Sequence, residues 1–335
     1  MSGQEERTLE QLIHGYVATM MVHAAVRAGL PELLRDGPVE MGELAERGGW
    51  RRGPLVRLMR GWVRIGLCGV LPDGRYELTE KGRGLLEDSG LPWRDLVMLA
   101  AEQYVPAFAR IDAVLTDGGL PFVLAHGMPP FGYRREVPEA GILFNRWLAA
   151  ETAGHAAALA AAYHWGRFPV IVDVAGGNGR LAVAVAGAAP AARVILFEQP
   201  HVVAALAADE CWRGHERAVE LHGGDMFHDV PGGAGLYVLK SVLHDWPDEE
   251  AVRILANCRA VMGAEATILL IERLLDEDGR HADTTLIVDL HMLAVTGGVE
   301  RSRAEFASLA EAAGLTMCHV IPTGTPFHLI ELKAF

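Results

Sequence analysis

The chain has 335 residues, half of them hydrophobic, so it can bury a sizeable core, and its length favours two domains. Its net charge of -13 argues against a nucleic-acid partner, because such binding rests largely on neutralisation of phosphates by Lys and Arg. The four cysteines lack the spacing of a zinc site or a disulfide framework. The polar segment 1–7 lacks the apolar core of a signal peptide, and no apolar run is long enough to cross a membrane. We therefore expect a cytoplasmic protein with reduced thiols, no bound metal and no membrane partner.

The first 92 residues are predicted to be a mainly helical domain that ends in a β-hairpin. Apolar residues recur at helical spacing over 8–29, and shorter helices are predicted over 41–47 and 54–65. Residues 70–78 predict a hairpin with Asp73-Gly74 at its turn. Helix, helix and hairpin are typical of a winged helix, and five arginines between 51 and 64 would suit DNA. Nearby acidic residues offset these arginines, so a structural or dimerising role is favoured.

The remaining elements predict a helical connection followed by an α/β domain. Helices are predicted over 104–115 and 144–163, within a segment, 93–165, that we expect to connect the domains and contribute to a substrate pocket. From residue 166 to 335, strands alternate with helices, which is typical of a mostly parallel, Rossmann-like sheet. The predicted strands are 170–174, 194–197, 236–239 and 268–271, with an antiparallel pair at 318–321 and 328–332. The predicted helices of this domain follow the first strand as far as 188 and cover 249–262 and 302–313.

A glycine-rich loop, Asp173-Val174-Ala175-Gly176-Gly177-Asn178-Gly179, follows the first of these strands. Ligands of such sheets bind at the carboxyl ends of the strands, near the point where the strand order reverses. Glycines at 176, 177 and 179 let the backbone approach a ligand closely, since no Cβ stands in the way. The helix N-terminus that follows favours negative groups on that ligand.

The loop also fits a dinucleotide fingerprint, Gly177-x-Gly179-x-x-Ala182, with Glu198 near the offset of a ribose-binding acid. NAD is therefore a competing interpretation. Against it, Asp173 at the strand end suits the amino-acid end or the sulfonium of a cationic cofactor. Asp225-Met226-Phe227 suits an adenine amino group and its ring, and no recognisable site for hydride transfer follows.

Taken together, the motifs resemble the COMT-like plant and bacterial small-molecule O-methyltransferases, over nearly the whole chain. The resemblance rests on Val172–Gly179, Asp225-Met226-Phe227, Leu239–Trp246, Gly297–Arg301 and Glu305-Phe306. It implies S-adenosylmethionine as cofactor, S-adenosylhomocysteine as product, and a homodimer formed through the N-terminal helices. By this likeness Glu198 would hold the ribose hydroxyls, Asp225 and Met226 the adenine, and Lys240 would complete the pocket. The cofactor-binding candidates are Asp173, Gly176, Gly177, Gly179, Glu198, Asp225, Met226, Phe227 and Lys240.

Three positions depart from the family pattern. Glu198 stands where an Asp is usual, and it should still accept hydrogen bonds from two hydroxyls, from a longer side chain. Ala175 replaces the first glycine of the common loop. Leu148 replaces a substrate-facing Met found in many relatives, so it is a candidate for substrate binding that bears on which acceptor is used.

Histidine 244 is the candidate general base. A neutral phenol is a poor nucleophile, and His244 follows a strand's carboxyl end, where it could remove the acceptor's proton. A carboxylate on the other ring nitrogen would fix the tautomer, and the resemblance points to Glu272 and Glu300. The structural alternatives are a helix cap for His244, a salt bridge to Arg273 or Arg280 for Glu272, and a surface ion pair with Arg301 or Arg303 for Glu300.

Together these features predict an O-methyltransferase that acts on a hydroxyl of an aromatic small molecule, in secondary metabolism by the resemblance. Asp245, Asp289 and Met292, with Leu148, are the candidates for contact with this acceptor. Two alternatives stay open. One is an enzyme of the same fold that catalyses decarboxylation, hydroxylation or cyclisation instead of methylation. The other is a ligand-sensing winged-helix regulator that binds DNA.

Overall fold

The computed structural model describes residues 8–116, 118–208, 212, 214–215, 218–275 and 282–335. The chain forms two compact units, Met1–Pro106 with Tyr133–Ala150 and Ala107–Gly132 with Glu151–Phe335. The predicted functional boundaries at 92 and 165 stay a prediction. The N-terminal segment 1–7, for which the sequence predicts no signal peptide, lies outside the described residues.

The first unit is mainly helical, with the hairpin that the sequence predicts. Its hairpin pairs β1 (Cys68–Val70) with β2 (Tyr76–Leu78) in antiparallel register, and Gly74 in the turn has φ +85°. The helix predicted over 8–29 is divided at His14 and ends at Arg27. The helices that lie in this unit or cross its boundary are α1 (Leu9–Ile13), α2 (Gly15–Arg27), α3 (Leu30–Leu33), α4 (Met41–Gly48), α5 (Arg52–Arg64), α6 (Glu80–Arg83), α7 (Trp93–Leu99), a π-helix (Ala100–Tyr104), α8 (Val105–Phe108), α10 (Pro130–Glu136) and α11 (Pro138–Ala161).

The second unit contains the helices that surround a seven-stranded sheet. Of the predicted helices in this unit, 249–262 and 302–313 are each found within one residue of the predicted ends. The second unit's helices are a 3₁₀ turn (Ile111–Leu115), α9 (Pro121–His126), a 3₁₀ turn (Trp165–Arg167), α12 (Arg180–Ala188), α13 (Pro200–Ala208), a 3₁₀ turn (Leu243–Asp245), α14 (Asp248–Val261), α15 (Ala282–Val295) and α16 (Arg303–Ala312).

The sheet has the strand order β5-β4-β3-β6-β7-β9-β8. The first five strands in this order are parallel, while β9 runs antiparallel to β7 and β8 antiparallel to β9. The order reverses between β3 and β6, which is where such sheets bind ligands. The strands are β3 (Val170–Val174), β4 (Arg193–Glu198), β5 (Val219–Gly223), β6 (Leu236–Lys240), β7 (Thr267–Glu272), β8 (Leu315–Pro322) and β9 (His328–Ala334).

The central strands are continuous apolar runs because helices cover both faces of the sheet. On one face, the sheet packs against buried residues of α14 and α16, among them Ile254 and Phe306. On the other, it packs against α12, through Leu181 and Val185, and against Trp165. This arrangement confirms the predicted α/β class with a mostly parallel sheet and a helical N-terminal region. Within the described part of the chain, no helix combines the length and apolar character that a membrane crossing requires.

Candidate active site

The glycine-rich loop lies at the carboxyl end of β3 and turns sharply into α12. Ala175, Gly177 and Gly179 have φ of +54°, +55° and +73°. Gly176 has a different reason to lack a side chain, since a Cβ there would overlap Leu196 Cδ1 and crowd the Asp173 carboxylate. The glycines therefore serve both the backbone conformation of the loop and its close packing against Asp173 of β3 and Leu196 of β4.

Glutamate 198, the last residue of β4, lies against this loop. Its Oε2 accepts a hydrogen bond from the backbone N–H of Gly177 at 3.1 Å, and its Oε1 accepts one from Gln199 N at 2.6 Å. The structure thus brings together two of the predicted cofactor-binding elements from neighbouring strands. The longer side chain of Glu, compared with the family's usual Asp, reaches the loop backbone.

Aspartate 173 is a buried carboxylate whose Oδ2 has no hydrogen-bond partner within the described part of the chain. Asp173 as a whole is only 3% exposed. Burial raises the pKa of Asp173 to about 7, the nearby positive charge of Lys240 lowers it, and Glu198 raises it. An orphaned, buried acceptor costs free energy unless a donor reaches it, so this position fits a cationic group of a ligand.

The segment 225–227 follows β5. Hydrogen bonds to the carboxylate of Asp225 hold its conformation. Asp225 Oδ1 accepts a hydrogen bond from Phe227 N at 2.9 Å, and Oδ2 lies 3.0 Å from His228 Nδ1. These two contacts hold the pKa of Asp225 below its usual value. Asn257 donates to the carbonyl of Met226 at 3.0 Å. The carboxylate is thus ionised and accessible, as an acceptor for a ligand's amino group requires.

Histidine 244 lies in the 3₁₀ turn after β6 and contacts both predicted carboxylates. Its Nδ1 is 2.7 Å from Glu300 Oε1 and 4.0 Å from Glu272 Oε2, and both glutamates are 0% exposed. Burial acts to lower the pKa of His244, but the charge and hydrogen bond of Glu300, with Asp245 and Glu272, raise it to about 10. The helix-cap alternative for His244 is wrong, because α14 begins only at Asp248 and has no side-chain cap.

Glutamate 272 anchors the turn that carries His244. Its Oε1 accepts hydrogen bonds from the backbone N–H groups of Val242, at 3.1 Å, and Leu243, at 3.0 Å. Burial raises the pKa of Glu272 to about 7, against the opposing charge of His244. The structural alternative for Glu272, a salt bridge to Arg273, is wrong. Arg273 pairs instead with Glu151, and its Nη2 lies 3.5 Å from Glu151 Oε1. Arg280, the other candidate partner, lies outside the described residues.

Glutamate 300 reaches His244 because the segment before it packs flat against the histidine turn. Val299 N donates to the carbonyl of His244 at 2.9 Å, and a Cβ on Gly298 would overlap that same carbonyl oxygen. Glu300 N donates to Asp289 Oδ1 at 2.9 Å. The surface-ion-pair alternative for Glu300 is wrong, since its side chain is fully buried.

Arginine 301 is a residue whose role the sequence analysis missed. It is 1% exposed and donates to the carbonyls of Leu243 at 2.9 Å and Trp246 at 2.8 Å, on either side of His244. It also donates to Asp248 Oδ1 at 2.8 and 3.0 Å. A buried guanidinium with these partners fixes the path of the turn. The only available signal was its position beside Glu300, which suggested an ion pair and not a backbone clamp.

The ligand atoms of His244, Glu272 and Glu300 lie within 4.8 Å of one another, a spacing that a metal ion could also use. However, Glu272 Oε1 is engaged by two backbone N–H groups and Glu300 Oε1 by the imidazole. We therefore interpret the cluster as a hydrogen-bonded acid–base group.

The four predicted substrate contacts lie in different places. Asp245 follows His244 in the same turn, and Asp289 and Met292 lie on α15 of the second unit. Asp289 supports the backbone of Glu300, as described above, and the carbonyl of Met292 accepts a hydrogen bond from Gly297 N at 2.8 Å. Leu148 lies on the part of α11 that belongs to the first unit. Their contacts with an acceptor stay predictions.

Comparison with known proteins agrees with these motifs over the length of the chain. Residues 108–316 match the O-methyltransferase domain family, and residues 10–88 match the O-methyltransferase dimerisation domain family. The chain is 34% identical over 331 residues to the mitomycin biosynthesis 6-O-methyltransferase of Streptomyces lavendulae, which covers 98% of this chain and 94% of that protein.

Solved structures show the same likeness. The structure of the mitomycin 7-O-methyltransferase MmcR is 34% identical and has a TM-score of 0.91, covering 98% of this chain and 97% of that one. The O-methyltransferase NcsB1 from neocarzinostatin biosynthesis was solved with S-adenosylmethionine and 2-hydroxy-5-methyl naphthoic acid. It is 28% identical, with a TM-score of 0.81, covering 95% of this chain and 96% of that one.

Proposed function

The chain belongs to the S-adenosylmethionine-dependent O-methyltransferase family, and we propose that it methylates a hydroxyl group of an aromatic small molecule, with His244 as the general base. The protein is an enzyme and its cofactor is S-adenosylmethionine, so the NAD interpretation and the regulator hypothesis are wrong.

The residues at the carboxyl ends of β3, β4 and β5 fit this cofactor. S-adenosylmethionine, when bound, supplies a methyl group on a positively charged sulfur. The orphaned Oδ2 of Asp173 suits a cationic group, and the absence of a Cβ at Gly176 leaves room beside that carboxylate. We assign Glu198 to the ribose hydroxyls and the segment 225–227 to the adenine ring.

The pair of His244 and Glu300 would manage the acceptor's proton. A phenol has an ordinary pKa of about 10, close to that of His244, so transfer of the proton between them costs little free energy. A complex of imidazolium with phenolate contains the same protons as a complex of neutral imidazole with phenol. In either form Glu300 keeps the Nδ1–H in place and stabilises the positive charge on the ring.

An aromatic acceptor is supported by the surroundings of the turn and by the relatives. Trp246 lies two residues after His244, with its ring 4.8 Å from that of Phe227 and 6.4 Å from that of Phe131. Such rings provide flat apolar surfaces against which an aromatic ligand can pack. Two of the relatives named above act in the biosynthesis of mitomycin and of neocarzinostatin, and the second, NcsB1, binds a naphthoic acid. We propose that this enzyme likewise acts in secondary metabolism, as a homodimer formed through its dimerisation domain.

The buried contact between His244 Nδ1 and Glu300 Oε1 carries this proposal. The test is to incubate the protein with S-adenosylmethionine carrying a ¹³C-labelled methyl group and with phenols, hydroxyquinones and aromatic amines. NMR of the product shows whether the label is bonded to oxygen or nitrogen. We expect a methyl ether, formed about 100-fold more slowly by His244→Gln. His164→Gln, which changes an exposed histidine before β3, is the matched control and should keep the wild-type rate.

Other products would overturn the proposal in different ways. A labelled amine would assign the enzyme to nitrogen acceptors. A decarboxylated, hydroxylated or cyclised product without the label would favour the non-methylating alternative. An unchanged rate of ether formation in His244→Gln would remove the base from the mechanism and leave only positioning of the acceptor.

A further inference from the structure

Two cationic side chains, Lys240 and Arg273, lie at the carboxyl ends of β6 and β7, at the edge of the sheet where Asp173 lies. Asp173 pairs with Val238 of β6, and Lys240 lies two residues beyond Val238, so Asp173 and Lys240 share one face. Lys240 pairs with Ile271 of β7, and Arg273 follows two residues later on that same side. The carboxyl ends of β3, β6 and β7 thus present one carboxylate followed by two cations.

The two cations share one carboxylate and one aromatic ring. Glu151 of α11 lies 3.4 Å from Lys240 Nζ through Oε2 and 3.5 Å from Arg273 Nη2 through Oε1. Lys240 Nζ also contacts Thr152 Oγ1 at 3.4 Å. The ring of Phe327 has Lys240 Nζ at 4.6 Å and the guanidinium carbon of Arg273 at 4.7 Å from its centroid.

This cluster leaves a donor unused. Arg273 is 9% exposed, and its Nη1 is buried with no hydrogen-bond partner in the described ranges of the chain. Asp173 Oδ2 is a buried acceptor in the same condition on the same face. Leaving either group without a partner costs free energy, and the cost is higher for charged groups. An orphaned anion and an orphaned cation on one face are complementary to a ligand that carries both charges, such as an α-amino acid group.

We propose that Arg273, together with Lys240, forms a carboxylate-binding subsite. The arginine supplies a planar pair of donors that matches a carboxylate, and its stacking on Phe327 holds the plane in position. Asp173 on the same face favours the amino-acid end of the cofactor, with the ammonium towards Asp173 and the carboxylate towards Lys240 and Arg273. A carboxylate on the aromatic acceptor is the second source of the same chemistry. The proposal rests on S-adenosylmethionine as cofactor and does not depend on the role of His244.

The test measures binding without turnover, so its outcome is independent of the proposed methylation. Calorimetry compares S-adenosylhomocysteine with an analogue that lacks only its α-carboxylate, in wild type and in Arg273→Met. We expect Arg273→Met to weaken binding of S-adenosylhomocysteine at least about tenfold and to leave the analogue's affinity within about twofold. Arg273→Lys keeps the positive charge but loses the paired donors of the guanidinium. Its affinity for S-adenosylhomocysteine should therefore lie between those of the wild type and Arg273→Met. Arg167→Met is the matched control. Arg167, which precedes β3, also stacks on aromatic rings and pairs with a carboxylate, that of Glu331.

A second pair of ligands separates the two sources of carboxylate. One outcome is that S-adenosylhomocysteine binds all variants equally, while Arg273→Met weakens the binding of an aromatic hydroxy acid at least about tenfold more than the binding of the same phenol without its carboxylate. In that case the subsite belongs to the acceptor. If no carboxylate-bearing ligand loses more affinity than its carboxylate-free partner, the proposal is overturned and Arg273 only packs on Phe327. Should Arg273→Met fail to fold by circular dichroism, the same ratios measured with Arg273→Lys decide between these outcomes.

Discussion

Replacing Glu300 by Gln removes a negative charge while keeping the shape of the buried contact with His244. The surroundings raise the pKa of His244 from 6.5 to about 10, which corresponds to about 5 kcal/mol in favour of the imidazolium. Glu300 is the largest contributor to that rise, and burial alone would lower the value. In Glu300→Gln we therefore expect the pKa of His244 to fall to its ordinary value or below it.

This shift changes the pH dependence of catalysis in a defined way. The productive complex shares one proton between His244 and the acceptor. With both pKa values near 10, kcat/KM of the wild type should rise about tenfold per pH unit between pH 7 and 9. In Glu300→Gln the histidine is neutral above about pH 7, so the profile should be flat there. Near pH 10 the variant should be about 100-fold slower, because its base is weaker and its tautomer is no longer fixed.

The assay is kcat/KM for a phenol with a pKa of about 10, measured between pH 6 and 10 in both proteins. Binding of S-adenosylhomocysteine checks that the variant is folded, and Glu311→Gln, an exposed change on α16, serves as control. Because the folded-state pKa of His244 is raised, its pairing stabilises the fold below about pH 6.5 and this stabilisation is lost as the pH rises towards 10. A Glu300→Gln enzyme with the wild-type profile and rate would show that Glu300 does not set the pKa of His244.

Three further changes test how the site is held. Gly298→Ala places a Cβ against the carbonyl of His244, so we expect a lower melting temperature and a loss of activity, and a variant with wild-type values for both would contradict the close packing. Arg301→Lys loses the paired donors to Leu243 and Trp246, and we expect lower kcat with nearly unchanged affinity for S-adenosylhomocysteine. Asp173→Asn removes a buried carboxylate whose pKa is about 7, so urea unfolding should show the variant more stable at pH 8 by up to about 4 kcal/mol, because ionisation of the buried group is avoided. That gain should shrink towards pH 5, and the variant should bind S-adenosylhomocysteine more weakly; equal affinity would remove Asp173 from the cofactor site.

The strands and helices that the sequence predicted well are those with a single strong pattern. β3 was predicted at its observed bounds because a short, fully buried strand is an unbroken apolar run between a proline and a glycine loop. The π-helix at 100–104 was not predicted, because it lies within a continuous helical pattern and differs only in its hydrogen bonds. Helix α15 was missed because its apolar residues are spread around it, and Leu286 and Ile287 are exposed.

The residues of the candidate site also divide into those that the sequence predicts and those that it does not. His244, Glu272 and Glu300 lie far apart in the chain, and each was found because it stands in a recognisable motif at a strand end or glycine pair. The roles of Arg301, Gly298 and Arg273 depend on which backbone or ring lies opposite them in the folded chain. A single sequence does not contain that information, so Arg301 and Arg273 were interpreted only as ion-pair partners of neighbouring glutamates.

The role of His244 in holding the acceptor's proton is tested most directly by varying the acidity of the acceptor. We would measure kcat/KM between pH 7 and 9 for phenols of decreasing pKa, with the wild type and with His244→Gln. Because the productive complex shares one proton between His244 and the acceptor, the wild-type value should rise about tenfold per pH unit for a phenol with a pKa of about 10. It should be flat for a phenol with a pKa of about 6, which meets the protonated histidine already ionised. A wild-type profile that rises equally steeply with both phenols, or a His244→Gln enzyme with the wild-type rate, would show that His244 does not share the acceptor's proton.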